Sequence, residues 1–296
     1  MYELIQVGEN SYYINCPAKM GLYRTADNGV YLIDSGNDKD AGKKVKRILD
    51  ANGWTLRAIV NTHSNADHTG GNRYLQQQTG CGVFAKGIEA AFIRSPILEP
   101  AFLYGGYPCA DLRHKFLMAE SCEVKEIADE AFPKELTVID LPGHFFHQVG
   151  FRTPDDVVYL ADCLCSEETL AKYRVTFLYD IAAHLETLDR VEKMEAACFV
   201  SAHAPVLEDA GPLARRNRQA VEEVVQMILA LCEEERSFEE ILRRIFAGCG
   251  LRMNFEQYVL VGSTVRSYLS YLRDQGRIAP VFSDNRLLWR RAAEKL

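Results

Sequence analysis

Apolar and polar residues alternate along the first 35 positions of the chain, and turn-forming sequences such as Ala26-Asp27-Asn28-Gly29 interrupt the alternation. Alternation with a period of two is typical of half-buried strands. The pattern therefore predicts a meander of antiparallel strands at residues 2–7, 11–16, 20–26 and 29–34. Residues 38–52 change to helical spacing, which predicts an amphipathic helix with an apolar face of Ala41, Val45, Ile48 and Leu49.

Short apolar runs and helical segments then follow one another as far as residue 201. The strands predicted from these runs are 56–60, 82–85, 137–141, 148–152, 157–161 and 198–201. The predicted helices are 73–79 and 180–195. Strands mixed with helices in this way indicate the α/β class.

Residues 88–125, here called the insertion, break this rhythm. Their central part, 95–108, is rich in aromatic residues, Pro and Gly and has no clear period. Long aperiodic loops are usually lids or binding loops, although a cover over an apolar face is an equal alternative. We predict that the insertion walls a substrate pocket, with Phe102, Tyr104 and Tyr107 as the candidate lining residues.

The pattern becomes helical after Gly211-Pro212. It predicts a long helix at 213–235, a second opened by Ser237 with capping-box spacing, one or two helices within 254–275, and a pair of short strands around 283–285. This order resembles a winged-helix module. We therefore divide the chain into a mixed α/β domain (1–212), a connecting helix (213–236) and a small, mainly helical, winged-helix-like domain (237–296).

The composition of the 296-residue chain is that of an ordinary globular protein, with 48% hydrophobic and 25% charged residues. No apolar run approaches the roughly 18 residues that span a bilayer, and the N-terminus lacks the features of a secretory signal. The nine cysteines are odd in number and form no paired framework. These features predict a cytoplasmic protein that does not enter the membrane.

Candidate chemistry is concentrated where the strand at 56–60 ends. His63, Asp67 and His68 fall within six positions, just before Thr69-Gly70-Gly71. Imidazole and carboxylate groups of this kind bind zinc, iron or manganese. Three potential ligands in one short loop at a strand end predict a metal site.

The segment His63-Ser64-Asn65-Ala66-Asp67-His68 resembles the His-x-His-x-Asp-His signature of the metallo-β-lactamase superfamily, with Asn65 in place of the middle histidine. Four further motifs of that family, including its glyoxalase II-like members, follow in order: Asp34-Ser35-Gly36, Leu141-Pro142-Gly143-His144, Asp162 after an apolar strand, and His203 after another. The resemblance covers about the first 210 residues. It implies that residues 1–212 form an αββα sandwich, the catalytic domain, with a metal site at one edge.

The resemblance also implies a ligand set. His63 and His144 would bind a first metal, and Asp67, His68 and His203 a second, with Asp162 bridging the two. Asn65 departs from the pattern, because an amide oxygen binds transition metals more weakly than imidazole does. We therefore expect one or two divalent ions, with the second position tight and the first weak. Zinc is the default, and iron or manganese fits the same ligands.

A bound divalent metal lowers the pKa of its water from 15.7 to about 7, which supplies hydroxide at neutral pH. Asp67 and Asp162 are therefore the candidate catalytic residues, with Asp67 placed to orient the nucleophile and to exchange a proton. We expect Asp34 to hold the ligand loops from outside. His147, Tyr179 and His184 are candidates for supporting or substrate-pocket roles, with a purely structural role as the alternative.

The leading functional hypothesis is hydrolysis of a small ester, thioester, lactone or amide. Cys165 occupies the position where the family's lactonases carry a tyrosine, which lowers the lactone option. A nuclease acting on RNA or a phosphodiester is the first alternative, because Arg266, Arg273 and Arg277 lie on or beside the expected recognition helix.

Charge does little to separate these hypotheses. Residues 237–296 carry ten Lys and Arg against six Asp and Glu, while the whole chain has a net charge of −7. Such sparse positive charge supports nucleic-acid binding only weakly. It fits better a C-terminal domain that packs on the sandwich, closes the pocket or forms a homo-oligomer. A metal-binding protein whose site has degenerated at Asn65 is the remaining alternative.

Overall fold

The predicted meander forms one half of a seven-stranded sheet in a computed structural model of the chain, which describes residues 2–293. Its four antiparallel strands are β1 (Glu3–Gln6), β2 (Ser11–Asn15), β3 (Met20–Arg24) and β4 (Gly29–Ile33). The other half is parallel and consists of β5 (Thr55–Val60), β6 (Gly82–Ala85) and β7 (Lys125–Glu126). The strands lie side by side in the order in which they occur along the chain.

Helices connect the parallel strands of this sheet. They are α1 (Lys39–Ala51), α2 (Ala66–Thr69), α3 (Asn72–Thr79), α4 (Ile88–Arg94) and α5 (Leu98–Tyr104). The predicted helix α1 begins after Asp38, whose side chain accepts a hydrogen bond from the Ala41 amide. This contact satisfies one of the free N–H groups at the helix start, which explains why the helix begins there.

The second sheet has four strands in the spatial order β11-β10-β9-β8. They are β8 (Thr137–Asp140), β9 (Val149–Arg152), β10 (Val157–Cys165) and β11 (Cys198–His203), and the helices α6 (Glu167–Tyr173) and α7 (Ile181–Glu192) lie between β10 and β11 in sequence. Strands β10 and β11 are parallel, so both end at the same edge of the sheet.

The two sheets pack face to face with helices on their outer sides. Successive residues show this, since Leu32 packs with the helices α1 and α3 while Ile33 packs between the sheets. Ile59 and Val60 repeat the same division. Neighbouring residues of a strand point to opposite faces, so a strand covered on both sides reads as a continuous apolar run. The predicted αββα sandwich is confirmed.

The C-terminal part contains three helices and a three-stranded sheet of order β12-β14-β13. Its elements are α8 (Gly211–Leu231), β12 (Arg236–Ser237), α9 (Phe238–Gly248), α10 (Phe255–Asp274), β13 (Ile278–Ser283) and β14 (Arg286–Arg291). The predicted capping box at Ser237 and Glu240 is present. The winged-helix-like description stays a prediction.

Helix α8 joins the sandwich to the C-terminal helices. Ala214, near its start, packs in the cluster that covers the outer face of the second sheet. Val224 and Ile228, farther along, belong to the core formed with α9 and α10. The Leu178 amide also donates to the Thr264 hydroxyl, which ties the chain before α7 to α10. The boundaries at 212 and 236 stay a prediction.

The insertion is more regular than its sequence pattern indicates. It contains α4, α5 and a single 3-10 turn at Ala110–Leu112. Each α-helix has only seven residues, which is about two turns and too few for a helical period to be visible. Within residues 2–293, no helix combines the length and apolar character that crossing a bilayer requires.

Candidate metal centre

The loop after β5 is fixed by a buried carboxylate that directly follows the neighbouring strand β4. Asp34 accepts hydrogen bonds from the Thr62 amide (2.8 Å), the Thr62 hydroxyl (2.7 Å) and His68 Nδ1 (2.8 Å). Its backbone has φ of +61°, an uncommon conformation for a residue other than glycine. Asp34 therefore lies where we expected it, behind the loop, with its carboxylate holding both the backbone and one histidine.

Each of the four candidate histidines is held through Nδ1. His63 Nδ1 lies 3.0 Å from the Thr62 hydroxyl, which itself donates to Asp34. His144 Nδ1 lies 3.1 Å from the Phe177 carbonyl, and His203 Nδ1 lies 3.1 Å from the Pro17 carbonyl. A carbonyl only accepts, so these Nδ1 atoms carry the proton and Nε2 remains available as a ligand.

The backbone of the second sheet turns two ligand candidates into the same space. Ala161 has φ of +51°, and the β10–β11 register shifts on either side of it. Such a bulge re-aims the following side chain, here that of Asp162. Before His144, Gly143 has φ of +122°, and a Cβ there would lie 2.3 Å from the His184 amide nitrogen. Only glycine fits this close approach.

These elements bring the seven sequence-predicted positions together in two groups. In one, which we call the second metal position, the donor atoms of Asp67, His68, Asp162 and His203 lie within 4.8 Å of one another. In the other, the first metal position, those of His63, His144 and Asp162 do so, with Asn65 Oδ1 3.2 Å from His144 Nε2. The groups share Asp162, and their assignment as ligands stays a prediction.

The second metal position is a compact cluster of opposite charges. His203 Nε2 lies 3.3 Å from both Asp67 Oδ2 and Asp162 Oδ2. The carboxylate of Asp162, against the effect of burial, raises the pKa of His203 to about 10. Burial lowers the pKa of His68, but Asp162, Asp67 and Asp34 raise it well above its usual range.

The carboxylates of this cluster have lowered pKa values. Burial raises the pKa of Asp162, but His203 and His68 lower it well below its ordinary range. The same two histidines lower the pKa of Asp67 against burial. Asp67 and Asp162 therefore remain ionised, as carboxylate ligands must be.

The first metal position is neutral apart from Asp162. Burial is the main cause of the lowered pKa of both His63 and His144. A neutral His144 with its proton on Nδ1 directs a lone pair at the oxygen of Asn65. The lone pair of His144 Nε2 and the oxygen of Asn65 are both acceptors, so their contact is unfavourable unless a cation lies between or beside them.

The donor set fits a divalent cation. Eight buried side-chain atoms have no hydrogen-bond partner among the residues that the structure describes, and three of the eight are donor atoms of this centre: His63 Nε2, His68 Nε2 and Asp162 Oδ1. His68 Nε2 and Asp162 Oδ1 approach within 3.2 Å, but without hydrogen-bond geometry. Imidazole nitrogen and carboxylate oxygen are suitable donors for zinc, iron or manganese.

Two glutamates of the insertion were missed by the sequence analysis. Glu89 accepts from the Ser64 amide, and Glu99 Oε1 lies 2.7 Å from Asn65 Nδ2. Burial raises the pKa of Glu89 to about 7 and that of Glu99 well above its usual range. Neither belongs to a motif. The one available signal is an acidic residue within an otherwise apolar helical segment.

The centre opens into a cavity of about 540 Å³. His144, Asp162 and His203 form its base, and its walls come from α6, residues 175–177 and the first turns of α10. The wall residues are Cys165, Glu168, Thr169, Lys172, Tyr173, Val175, Thr176, Phe177, Glu256, Gln257, Leu260 and Val261. The C-terminal part of the chain therefore contributes directly to the cavity.

The insertion residues predicted to wall the pocket lie elsewhere. Phe102, Tyr104 and Tyr179 line a separate cavity of about 840 Å³ between α5, α7 and α10. Tyr107 is 75% exposed. Neither Tyr104 nor Tyr107 is among the described residues that line the cavity at the metal centre. A role for them in substrate binding stays a prediction.

The remaining candidates surround the His144 loop. Tyr179 stacks on Phe146 with ring centroids 3.9 Å apart. His147 is exposed, and its Nδ1 accepts from the Ile88 amide at 3.4 Å. His184 is buried, which lowers its pKa to about 3. They lie around the loop that carries His144, outside both metal positions, and a supporting or substrate-pocket role for them stays a prediction.

Relatives named hydroxyacylglutathione hydrolase match parts of the chain. The protein of Methylococcus capsulatus is 42% identical over 137 residues, which are 44% of this chain and 44% of that protein. That of Methylobacillus flagellatus is 30% identical over 143 residues, 47% of this chain and 48% of that protein. The chain thus matches about half the length of these curated relatives.

Solved structures share the fold over nearly the whole chain. A β-lactamase domain protein from Burkholderia ambifaria has a TM-score of 0.73 at 16% identity and covers 98% of this chain and 94% of its own. A metallo-β-lactamase family protein from Thermus thermophilus has a TM-score of 0.71 at 19% identity, and the match covers 95% of this chain and 98% of that protein. The family profile described as metallo-β-lactamase superfamily matches residues 13–203, from strand β2 to the histidine that ends β11. The chain therefore belongs to the metallo-β-lactamase superfamily.

Proposed function

We propose that this protein is a metal-dependent hydrolase of small acyl compounds, with a thioester as the favoured substrate. The observation that carries the proposal is the pair of donor groups that share Asp162 at the base of an open cavity. The relatives named hydroxyacylglutathione hydrolase support the choice of a thioester.

His63 and His144, with the Asn65 oxygen, would hold one divalent ion, and the second metal position would hold the other. When bound, such ions activate water and polarise the acyl oxygen. Zinc is the proposed metal, and iron or manganese suits the same donors. The asymmetry between the positions supports tight binding at the second and weaker binding at the first.

Asp67 is proposed to orient the attacking water. Its side chain is 40% accessible, and its carboxylate lies 3.3 Å from His203 Nε2 and 3.7 Å from His68 Nε2. Because its pKa is lowered, the carboxylate stays ionised and accepts a hydrogen bond from water. An ionised Asp67 suits orientation of the attacking water better than storage of a proton. The sequence had led us to expect both roles.

The cavity walls combine apolar surface with charged groups, of which Glu168 and Glu256 are acidic and Lys172 is basic. Phe177, Leu260 and Val261 offer apolar surface. Lys172 is the basic side chain among the described wall residues apart from the histidines, and it lies over the Tyr173 ring at 4.7 Å. We propose that the apolar wall contacts the acyl or thiol carrier and that Lys172 pairs with a carboxylate of the substrate.

The C-terminal part is proposed to complete the substrate cavity. The first turns of α10 supply Glu256, Gln257, Leu260 and Val261 to its wall. Arg266 lies over the Phe238 ring at 3.8 Å, outside this cavity. No contact among the described residues favours the nuclease alternative, and a homo-oligomer through this part stays a prediction.

The test is a substrate panel assayed with the purified, metal-loaded chain. We expect hydrolysis of acyl thioesters, loss of activity after chelation, and recovery when zinc, iron or manganese is returned. Lys172→Ala should raise KM with little change in kcat, because it removes a contact made equally in ground and transition states. Cleavage of a phosphodiester or RNA with no acyl hydrolysis would overturn the proposal in favour of the nuclease.

A further inference from the structure

Two carboxylates of the insertion are buried behind the loop that carries His63 and Asn65. Glu89, on α4, is fully buried, and Glu99, on α5, is 5% exposed. Within residues 2–293, no basic side chain lies within ion-pair distance of either carboxylate. Burying a carboxylate is costly unless its oxygens are hydrogen bonded. The partners that they do have therefore indicate what these residues are for.

Glu89 connects the two loops that supply the first metal position. Its Oε2 accepts from the Ser64 amide at 3.0 Å and from the Ser64 hydroxyl at 2.6 Å, directly after His63. Its Oε1 accepts from the His147 amide at 2.7 Å, three residues after His144. One side chain thus spans the two loops and fixes the separation of His63 from His144.

Glu99 acts on the residue that departs from the family signature. Asn65 Nδ2 donates to Glu99 Oε1 at 2.7 Å, and Asn65 Oδ1 lies 3.2 Å from His144 Nε2. A carboxamide has a donor side and an acceptor side, so binding its NH2 group directs its oxygen the other way. His144 cannot turn to compensate, because its Nδ1 is committed to the Phe177 carbonyl.

We propose that Glu99 is a positioning residue for the first metal position, where it holds the Asn65 amide so that its oxygen, and not its NH2 group, faces the metal. Asn65 then serves as an oriented oxygen ligand, and α4 and α5 act as the frame of that position through Glu89 and Glu99. The inference rests on the proposed metal centre. It assigns the insertion a function that the aromatic residues of segment 95–108 did not indicate.

The test compares Glu99→Leu with the matched variant Glu99→Gln, which keeps an acceptor oxygen and nearly the same shape. Titration of the full-length chain with cobalt should resolve a tight and a weak equivalent, and His63→Ala identifies the weak one as the first metal position. We expect Glu99→Leu to weaken that equivalent about tenfold, as expected for loss of one buried hydrogen bond, with the tight equivalent unchanged. Glu99→Gln should bind within about twofold of the wild type.

Unchanged binding in Glu99→Leu, or equal loss in both variants, would overturn the proposal. Where Glu99→Leu fails to fold, Asn65→Ala and Asn65→Ala/Glu99→Leu provide the same test, because removing both partners leaves no unpaired polar group. If Glu99 acts through Asn65, adding Glu99→Leu to Asn65→Ala weakens cobalt binding no further. A further loss in the double variant contradicts the proposal.

The outcomes also separate this inference from the hydrolase proposal. A wild-type chain that binds two equivalents but hydrolyses none of the acyl substrates removes the hydrolase proposal and leaves the positioning role standing. A chain that hydrolyses them with a single equivalent, unaffected by His63→Ala, removes the positioning role alone. A chain that binds no metal removes both.

Discussion

The two metal positions use the same sheet edge but differ in how they are built. The second has two carboxylates, Asp67 and Asp162, and their charge holds His68 and His203 in place. The first shares Asp162 but otherwise has two neutral histidines and an amide, and hydrogen bonds from the insertion hold the loop and the amide in place. Opposite charges hold the side chains of the second position, and oriented hydrogen bonds hold those of the first. We therefore expect the two positions to respond differently to substitution.

The largest effect should come from the residue that both positions share. Asp162→Asn replaces the common carboxylate by a poor ligand of the same shape. We expect both metal equivalents to bind more weakly and thioester hydrolysis to fall by about 10²–10³-fold, the scale on which loss of one stabilising group acts. Elemental analysis and steady-state kinetics check this, and a variant that retains one equivalent at wild-type affinity would break the shared-ligand account.

A smaller effect, confined to the second position, is expected for Asp34→Asn. Asparagine tolerates the positive φ at this residue, so the change removes charge from the partner of His68 without adding backbone strain. The tight equivalent should weaken by about 10- to 100-fold. Cobalt titration measures this, and Asp156→Asn, also at positive φ but remote from the centre, is the matched control. Selective loss of the weak equivalent instead would reverse the comparison.

The smallest effect is expected for Asn65→His, which restores the family signature. An imidazole should tighten the weak equivalent by about tenfold, while Glu99 loses its partner and the metal-free protein loses about 1–3 kcal/mol of stability. Cobalt titration and thermal unfolding measure the two effects separately. A gain in metal affinity together with higher activity would support the degenerate-site alternative, whereas loss of activity would support a site tuned around Asn65.

The sequence could predict those candidate ligands that lie close together along the chain or near the ends of apolar strands. His63, Asp67 and His68 lie within six positions just after β5, His144 follows β8, and Asp162 and His203 lie in the last part of β10 and at the end of β11, so a rule about strand ends brings them together. Glu89 and Glu99 could not be found in this way. Their partners are 25 to 58 residues away, and only the packing of α4 and α5 brings them within reach.

The cavity walls were beyond prediction for the same reason. The aromatic residues of segment 95–108 are conspicuous in the sequence, yet Tyr107 is exposed and is not among the described residues that line the cavity at the metal centre. Lys172 and Leu260 are inconspicuous, yet α6 and α10 bring both to the metal centre. A helical period identifies which face of α10 is apolar, but it does not say which cavity the start of that helix closes.

Helix α8 is part of two cores at once, through Ala214 in one and Ile228 in the other. Because residues of one continuous helix pack in both cores, we expect the sandwich and the C-terminal elements to unfold cooperatively. Recombination that exchanged residues 211–296 would also have to replace the part of the second sheet's outer layer that α8 supplies, beside the part supplied by α7. The C-terminal part therefore packs as an integral component of this fold.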